Sequence, residues 1–149
     1  MRLKKENPEH KSVMNVFKKF TDAYGRRDID DITGLFINEP KPLFIGTGID
    51  EECVGTDEVK KQFMRDFNQS EKLEMDVKWH HVSVKESMAW LASEIDVHTK
   101  VLGKKMTIFC RLTAALERCG DEWLFANMHI STPSTVQKKG ESFPTCDLY

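Results

Sequence analysis

The sequence lacks the features that mark membrane, secreted and nucleic-acid-binding proteins. No apolar run approaches the ~20 residues that a membrane-spanning helix requires, and residues 1–10 are charged, without the apolar stretch of a secretory signal. Lys and Arg number 22 against 24 Asp and Glu, so the formal charge is only −2. A near-neutral chain offers no general field for a phosphate backbone. We therefore expect a cytoplasmic protein that binds neither nucleic acid nor membrane.

The sequence also lacks the spacings that mark metal and redox sites. Its four cysteines are dispersed, with no C-x-x-C pair, and are expected to be free thiols. His80 and His81 are adjacent, so in a regular strand they point to opposite faces and cannot share an ion. The acidic run at residues 50–52 could attract a hard cation, but without the spacing of a calcium loop it is interpreted as a solvated turn. The sequence predicts no metal and no cofactor.

Apolar periodicity predicts three helices in the first half of the chain. Pro8 opens the first helix, whose apolar stripe comprises Val13, Phe17, Phe20 and Tyr24, and Gly25 is expected to end it. Asp28 is expected to cap a second, shorter helix, and Thr56 a third. Between the second and third predicted helices, residues 43–45 form a short apolar run that predicts a buried strand.

From residue 72 the periodicity changes from helical to alternating, which predicts four successive strands at about 72–80, 88–98, 105–116 and 123–131. Short connections between them favour hairpins. Helices followed by a meander indicate an α+β fold with helices on one face of an antiparallel sheet. The first helix carries more large apolar residues than a flat sheet would bury, so we expect a strongly curved sheet wrapped around it. The predicted single domain spans residues 11–133, between a flexible N-terminus (1–10) and a polar C-terminal tail (134–149).

Several segments together resemble a known family. They are residues 28–36 (DIDDITGLF), 44–55 (FIGTGIDEECVG), Ala89-Trp90, Arg111-Leu-Thr113, and Trp123 followed by His129-Ile-Ser-Thr-Pro133. This pattern, over about residues 12–133, resembles the SnoaL-like branch of the nuclear transport factor 2-like superfamily. The closing strand is also similar to the association domain of calcium/calmodulin-dependent protein kinase II. The resemblance implies a cone-shaped barrel of cystatin-like fold, a pocket between helices and sheet, and a homodimer formed through the sheet.

The resemblance implies little about chemistry, because the superfamily includes isomerases, dehydratases, cyclases, transport adaptors and oligomerisation modules. Members similar to ketosteroid isomerase place a Tyr on the first helix and a general-base Asp on the first strand. In this sequence Phe20 and the Phe44-Ile45 pair align with those positions. That proton-transfer apparatus is therefore expected to be absent.

The alternation of side chains along the strands divides the polar residues between two faces. Even-numbered residues 106–116 are almost wholly apolar and are expected to face the helices, as are Leu124, Ala126, Met128 and Ile130 in the last strand. The resemblance points Trp90, Ala92, Glu94 and Asp96 the same way. Glu94 and Asp96 are thus the candidate catalytic carboxylates, since a pocket wall would raise their pKa values. The alternative is that both lie at a solvated rim.

Aromatic residues in the same region could line a pocket for a flat or apolar ligand. The candidate ligand-binding residues are Tyr24, Phe44, Phe63, Phe67, Trp90 and Met128. The alternative is that the aromatic side chains are plain core, which is the commoner role of aromatics at such spacing.

The opposite face of the last two strands is too aromatic for a solvated surface and has the composition of a protein interface. The candidate dimer-interface residues are Phe109, Arg111, Thr113, Trp123, Asn127, His129 and Ser131. Alternatively, Arg111 and His129 could form an anion or acid/base site, although no nucleophile or orienting carboxylate is evident beside His129.

Three functions remain open at this point. The chain could be a small-molecule-binding or sensory homodimer, which the aromatic pocket and the missing isomerase residues favour. It could be a lyase or isomerase that uses Glu94 or Asp96 as general base on a small, partly apolar substrate. It could also be an adaptor or oligomerisation module whose working surface is the sheet.

Overall fold

A computed structural model describes residues 7–145 of the chain. This part of the chain has three helices and six strands in an α+β arrangement. In chain order they are α1 (Pro8–Arg26), α2 (Ile29–Thr33), β1 (Leu43–Ile45), β2 (Glu52–Val54), α3 (Thr56–Gln69), β3 (Lys72–Lys85), β4 (Met88–Val101), β5 (Lys104–Cys119) and β6 (Glu122–Ser131). The three predicted helices and five predicted strands are present, and β2 is an addition in the segment interpreted as an acidic turn.

The helix ends follow the local sequence with two corrections. Gly25 lies inside α1, and the left-handed capping position is Arg27, whose φ is 56°. The helix α3 begins at Thr56, so its N-cap is Gly55 and not Thr56. The backbone at the cap has φ 94°, which glycine adopts without strain. The hydroxyl of Thr56 instead donates to Asn38 Oδ1 at 3.0 Å. Asp28 caps α2 as predicted, its carboxylate accepting from the Asp31 N–H at 3.0 Å.

The strands form one sheet in the order β2-β1-β6-β5-β4-β3. The four long strands form the predicted antiparallel meander. β1 pairs with β6 in parallel, and β2 pairs with β1 antiparallel. The sheet is therefore mixed at one edge, where the chain returns from the helices to lie beside its last strand.

The curved sheet encloses α1, as predicted. Val13, Phe17 and Phe20 on this helix are fully buried. The ring of Phe20 lies at the centre of an aromatic cluster, with its centroid 6.0 Å from that of Phe63 and 5.7 Å from that of Phe125. Such edge-on aromatic pairs each contribute about 0.5–1.5 kcal/mol beyond area burial. The centre of the cone is thus packed, and any cavity must lie toward its open end.

The predicted inward face of β4 is wrong. Leu91 and Ile95 are buried and stand opposite Ala114 and Cys110 of β5. Directly opposed residues of antiparallel strands share a face, so the odd positions of β4 point inward. Trp90 is on the other face with half of its surface exposed. The physical reason is that Glu94 and Asp96 share a face with Trp90, so burying Trp90 would also bury their charged groups.

The inward face of β6 was predicted correctly only in its second half. Met128 and Ile130 are buried. The register shifts between Ala115 and Leu116 of β5, which leaves Ala126 of β6 as the extra residue of a β-bulge. The bulge reverses the alternation, so that the rings of Trp123 and Phe125 point inward in place of Leu124 and Ala126.

The burial of Trp123 is completed by α1. The guanidinium of Arg118 lies 5.8 Å from the centroid of the Trp123 ring, and Arg118 Nη1 forms an ion pair with Glu9 Oε1 at 2.9 Å. Arg118, which lies over the Trp123 ring, therefore joins the sheet to the start of the first helix.

The first helix begins within the segment predicted as an N-terminal extension. Residues 8–10 belong to α1 and not to an N-terminal extension, while residues 1–6 and 146–149 lie outside the described residues. Residues 132–145 contain neither helix nor strand and are mostly exposed. None of the helices within residues 7–145 is long and apolar enough to cross a membrane.

Candidate functional site

A cavity of about 240 Å³ opens at the wide end of the cone, between the last turns of α1 and α3 and the inner face of the sheet. Much of its wall is apolar, and the residues of that wall come from four strands: Leu73, Met75, Val97, Ile108, Cys110 and Ile130. Tyr24, Asp66 and Glu51 form a polar end, and Phe44 lies nearby on β1. A mostly apolar cavity with a few convergent polar groups is the usual form of a small-molecule site.

The polar end is built around the carboxylate of Asp66. The hydroxyl of Tyr24 donates to Asp66 Oδ2 at 3.0 Å, and the amide nitrogen of Gln62 donates to Asp66 Oδ1 at 2.9 Å. Tyr24 and Gln62 are each more than nine-tenths buried. Both oxygens of the carboxylate therefore have a protein donor, which fixes the direction in which Asp66 faces the cavity.

Glu51 extends the network to the loop between β1 and β2. Its side chain accepts hydrogen bonds from the Gln62 amide and from the Gly48 N–H. A side chain at Gly48 would collide with the Glu51 carboxylate, so the small residue is required for this close approach. The acidic segment predicted as a solvated turn thus contributes one carboxylate, Glu51, to the cavity.

The other acidic residue of this loop faces away from the cavity. Asp50 receives two hydrogen bonds from Arg65, at 2.7 and 3.1 Å, while Arg65 reaches Glu51 only at 3.6 Å. Between residues 7 and 145, no group of three or more His, Cys, Asp or Glu side chains could hold a metal ion.

Burial changes the proton affinities at the polar end. Desolvation raises the pKa of Asp66 above its ordinary value of 3.8, and the hydrogen bonds from Tyr24 and Gln62 only partly oppose this. Burial, reinforced by the negative charge of Asp66, also raises the pKa of Tyr24, so the phenol keeps its proton and remains a donor. Burial raises the pKa of the Cys110 thiol as well, so this group is a neutral part of the wall.

The helix α3 positions the network through its spacing. Gln62 and Asp66 are four residues apart and lie above one another on one face of the helix. The last turn is held by Arg27, whose guanidinium donates to the Ser70 carbonyl at 2.7 Å, and by the Ser70 hydroxyl, which donates to the Asp66 carbonyl at 2.6 Å. Cationic donors at a helix C-terminus satisfy carbonyls that have no partner within the helix.

The candidate ligand-binding residues separate into three groups. Tyr24 and Phe44 line the cavity. Phe63, Phe67 and Met128 are buried in the packed core and do not line it. Trp90 lies on the outer face of the sheet, because of the register of β4, and cannot line the cavity.

The candidate catalytic carboxylates are also on the outer face. Glu94 stands opposite Arg111 on β5, and Asp96 stands opposite Phe109. The carboxylate of Asp96 is 3.8 Å from the ammonium group of Lys78. The prediction that Glu94 and Asp96 form part of an inner pocket wall is therefore wrong, for the same register reason as Trp90.

The candidate interface residues are on the outer face with one exception. Phe109, Arg111, Thr113, Asn127 and His129 are exposed there, and Ser131 is half-buried. Trp123 is buried on the inner side, beneath Arg118, because of the bulge in β6. Trp79 and Trp90, each half exposed, add two aromatic side chains to this face.

Sequence reasoning missed Asp66, Gln62 and the role of Glu51. One signal was present in the sequence: Gln62 and Asp66 follow the buried Val59 by three and seven residues, which puts them on the apolar stripe of α3. Polar residues within an apolar stripe are rarely buried unless they have partners.

The arrangement is suited to binding and to proton transfer. A half-buried carboxyl with a raised pKa can exchange a proton with a bound molecule, and the adjacent phenol, whose hydroxyl donates to that carboxyl, holds it in place. The fold and site together define a cone-shaped pocket domain of the cystatin-like type.

The sequence places this domain in a family. The profile of the SnoaL-like domain matches residues 13–135, and the chain belongs to that family. A comparison with functionally curated proteins found no significant match.

Solved structures share the fold at low sequence identity. A candidate dehydratase of the nuclear transport factor 2-like family from Streptomyces avermitilis is 17% identical, with a TM-score of 0.77 over 85% of this chain and 97% of that one. A candidate calcium/calmodulin-dependent protein kinase II association domain from Xanthomonas campestris is 18% identical, with a TM-score of 0.78 over 91% and 95%. A candidate scytalone dehydratase from Novosphingobium aromaticivorans is 11% identical, with a TM-score of 0.75 over 85% of each chain. At these identities the likeness establishes the fold alone.

Proposed function

We propose that the protein binds a small, partly apolar molecule in the cavity at the open end of the cone. The observation that carries this proposal is the hydrogen-bonded pair of buried Tyr24 and half-buried Asp66 at one end of a cavity of about 240 Å³ with mainly apolar walls. A packed core would gain nothing from a half-buried carboxylate, because desolvating it costs free energy. A ligand that contacts the carboxylate would offset that cost.

A second candidate function is proton transfer on the bound molecule, in the manner of a lyase or isomerase. The raised pKa of Asp66 favours it, since a general acid or base is most effective when its pKa lies near the working pH. In this scheme Asp66 moves the proton, and the Tyr24 hydroxyl, which donates to Asp66, holds that carboxyl in place. Asp66 takes the role for which the sequence had suggested Glu94 or Asp96.

The binding proposal is tested with a set of small aromatic and aliphatic alcohols, ketones, amines and carboxylates, followed by NMR of methyl groups. Binding in the cavity should shift the methyl signals of Met75, Ile108 and Ile130, which line it. The Thr99→Trp variant should abolish these shifts, because residue 99 also lines the cavity and the larger side chain fills it.

The matched control is Thr107→Trp, the same change on the neighbouring strand at an exposed position. It should leave the methyl shifts intact. If no compound perturbs these signals, or if the shifts survive Thr99→Trp, the binding proposal fails and the adaptor or oligomerisation function becomes the better account.

We further propose that the outer face of the sheet pairs two copies of the chain. Trp79, Trp90 and Phe109 expose about half of their surface on this face, and all three are among the exposed large apolar residues of the molecule. Exposed aromatic groups beside Arg and His have the composition of an interface core. A twofold axis through the face would bury the same patch on both copies.

We also propose a cytoplasmic location. Cys53, Cys110 and Cys119 are free thiols, and free thiols persist in reducing compartments.

A further inference from the structure

We infer that the ligand of the cavity is a cation: a small primary or secondary amine with an apolar body, bound through its ammonium group at the Asp66 end. This inference rests on the proposed binding function and specifies its chemical class. It comes from the hydrogen-bonding capacity and the charge of the polar end.

The donors of the polar end are already used within the protein. The Tyr24 hydroxyl donates to Asp66, and the amide of Gln62 donates to both Asp66 and Glu51. The Ser70 hydroxyl donates to the Asp66 carbonyl. What remains free at this end is acceptor capacity, since each carboxylate oxygen has two lone pairs and the phenol oxygen also accepts. A ligand group that contacts the Asp66 carboxylate must therefore bring donors.

The charge of the cavity points to the same ligand class. Among the described residues that line it, Glu51 and Asp66 are acidic and none is Lys, Arg or His. Two guanidinium groups lie nearby without lining the cavity. Arg65 makes its short contacts with Asp50 and is 3.6 Å from Glu51 Oε1, and Arg27 donates to the Ser70 carbonyl at 2.7 Å. An anionic ligand would be repelled in this partly desolvated space, whereas an ammonium group would supply the missing positive charge.

The walls suit the rest of such a molecule. Tyr24 and Phe44 contribute aromatic rings to the lining, and aromatic rings attract ammonium groups. Beyond them the cavity is lined by aliphatic side chains from β3, β4 and β5, including Leu73, Val97 and Ile108. Thr47, Gln69 and Thr99 supply the other polar side chains of the lining besides Ser70, and all are uncharged.

The inference is tested with three probes of nearly the same shape: phenethylamine, phenethyl alcohol and phenylacetate, titrated near neutral pH by calorimetry and methyl NMR. The amine should bind about tenfold or more tightly than the alcohol, as one charge-assisted hydrogen bond would give. Phenylacetate should bind most weakly. The ranking in the wild-type protein decides the matter, so it does not depend on the folding of any variant.

Asp66→Asn identifies the group responsible. It removes the charge while keeping the size of the side chain, so the preference for amine over alcohol should disappear while the alcohol still binds. Asp22→Asn is the matched control, because Asp22 is an exposed α1 residue paired with Lys18 at 2.8 Å. It should leave the preference unchanged.

The outcomes separate this inference from the binding proposal. If the alcohol or the carboxylate binds as tightly as the amine, the cation inference is overturned and the binding proposal stands. If the amine is preferred equally in Asp66→Asn, the assignment to Asp66 is wrong. If none of the three shifts the methyl signals while other compounds do, the inference alone fails; if no compound does, the binding proposal fails with it.

Discussion

At the scale of single residues, the carboxyl group of Asp66 changes its proton affinity on folding. Its pKa in the folded protein is raised by burial, so the folded state holds the proton more strongly than the unfolded chain does. The stabilisation that results is fully present below the unfolded pKa of about 4 and is lost as the pH rises through the folded value. Stability should fall over that interval for this reason.

We predict that Asp66→Asn removes this loss. As the pH rises from about 4 toward neutral, the wild-type protein should lose stability relative to Asp66→Asn. Urea unfolding at a series of pH values measures it. Taking the difference cancels the contributions of distant groups, which titrate equally in both proteins.

Asp50→Asn provides a control of opposite sign. The hydrogen bonds and charge of Arg65 hold the pKa of Asp50 below its ordinary value. Its contribution to stability is therefore present above the unfolded pKa and is lost as the pH falls through the folded one. The wild-type advantage over Asp50→Asn should rise with pH. Parallel slopes for the two variants would contradict the assignment of Asp66 as a buried, proton-retaining group.

The contrast between Tyr24 and Asp66 shows what the sequence could predict at this scale. Tyr24 was a candidate because its aromatic ring belongs to an apolar stripe, and the spacing of such a stripe can be recognised from the sequence alone. The burial of Asp66 depends on Tyr24 and Glu51, which are 42 and 15 residues away in the chain, and such partners are brought together only by the fold.

At the scale of helices and strands, the start of α3 depends on a glycine. Gly55 has φ 94°, and its N–H donates to the Pro42 carbonyl at 2.8 Å. A side chain at this φ is strained, so Gly55→Ala should destabilise the protein by about 1–2 kcal/mol. The added methyl group itself would meet only the Lys41 side chain at 3.8 Å, so the backbone conformation is the cause.

Gly25→Ala is the matched change with the opposite expected sign. Gly25 is inside α1, and a methyl group there would lie at ordinary contact distance, 3.5 Å, from the Leu73 carbonyl. Because alanine is the better helix former, the variant should gain about 0.5–1 kcal/mol. Urea unfolding of both variants measures the two effects, and destabilisation by Gly25→Ala with no effect of Gly55→Ala would contradict both arguments.

The strands show where alternation predicts a face and where it does not. On β5 the even residues from Cys110 to Leu116 are inward, as the apolar pattern predicted. On β4 the pattern alone would have chosen Leu91 and Ile95, and the error arose because the face was assigned from the family resemblance. On β6 no alternation rule suffices, because the bulge at Ala126 reverses the phase within the strand.

At the scale of the whole molecule, the curved sheet around α1 was predictable from the number of large apolar residues on that helix. The parallel pairing of β1 with β6 was not, since β1 has three residues and its partner lies more than eighty residues away. The position of the cavity follows from both features. Phe20 and its neighbours fill the closed end, while the β1–β2 loop and the end of α3 enclose space at the open end.

The outer face of the sheet is predicted to hold two copies of the chain together. Phe109→Glu places a carboxylate on the outer face of the sheet, where a dimer would have to bury it without a partner. The variant should therefore run as a monomer at micromolar concentration while the wild-type protein runs as a dimer, as measured by light scattering or analytical ultracentrifugation. His129→Ala, on the same face in β6, removes a smaller contact and should weaken the dimer less. Phe143→Glu makes the same change at an exposed position beyond the sheet and should leave the mass unchanged. A monomeric wild-type protein would contradict the proposed pairing through this face.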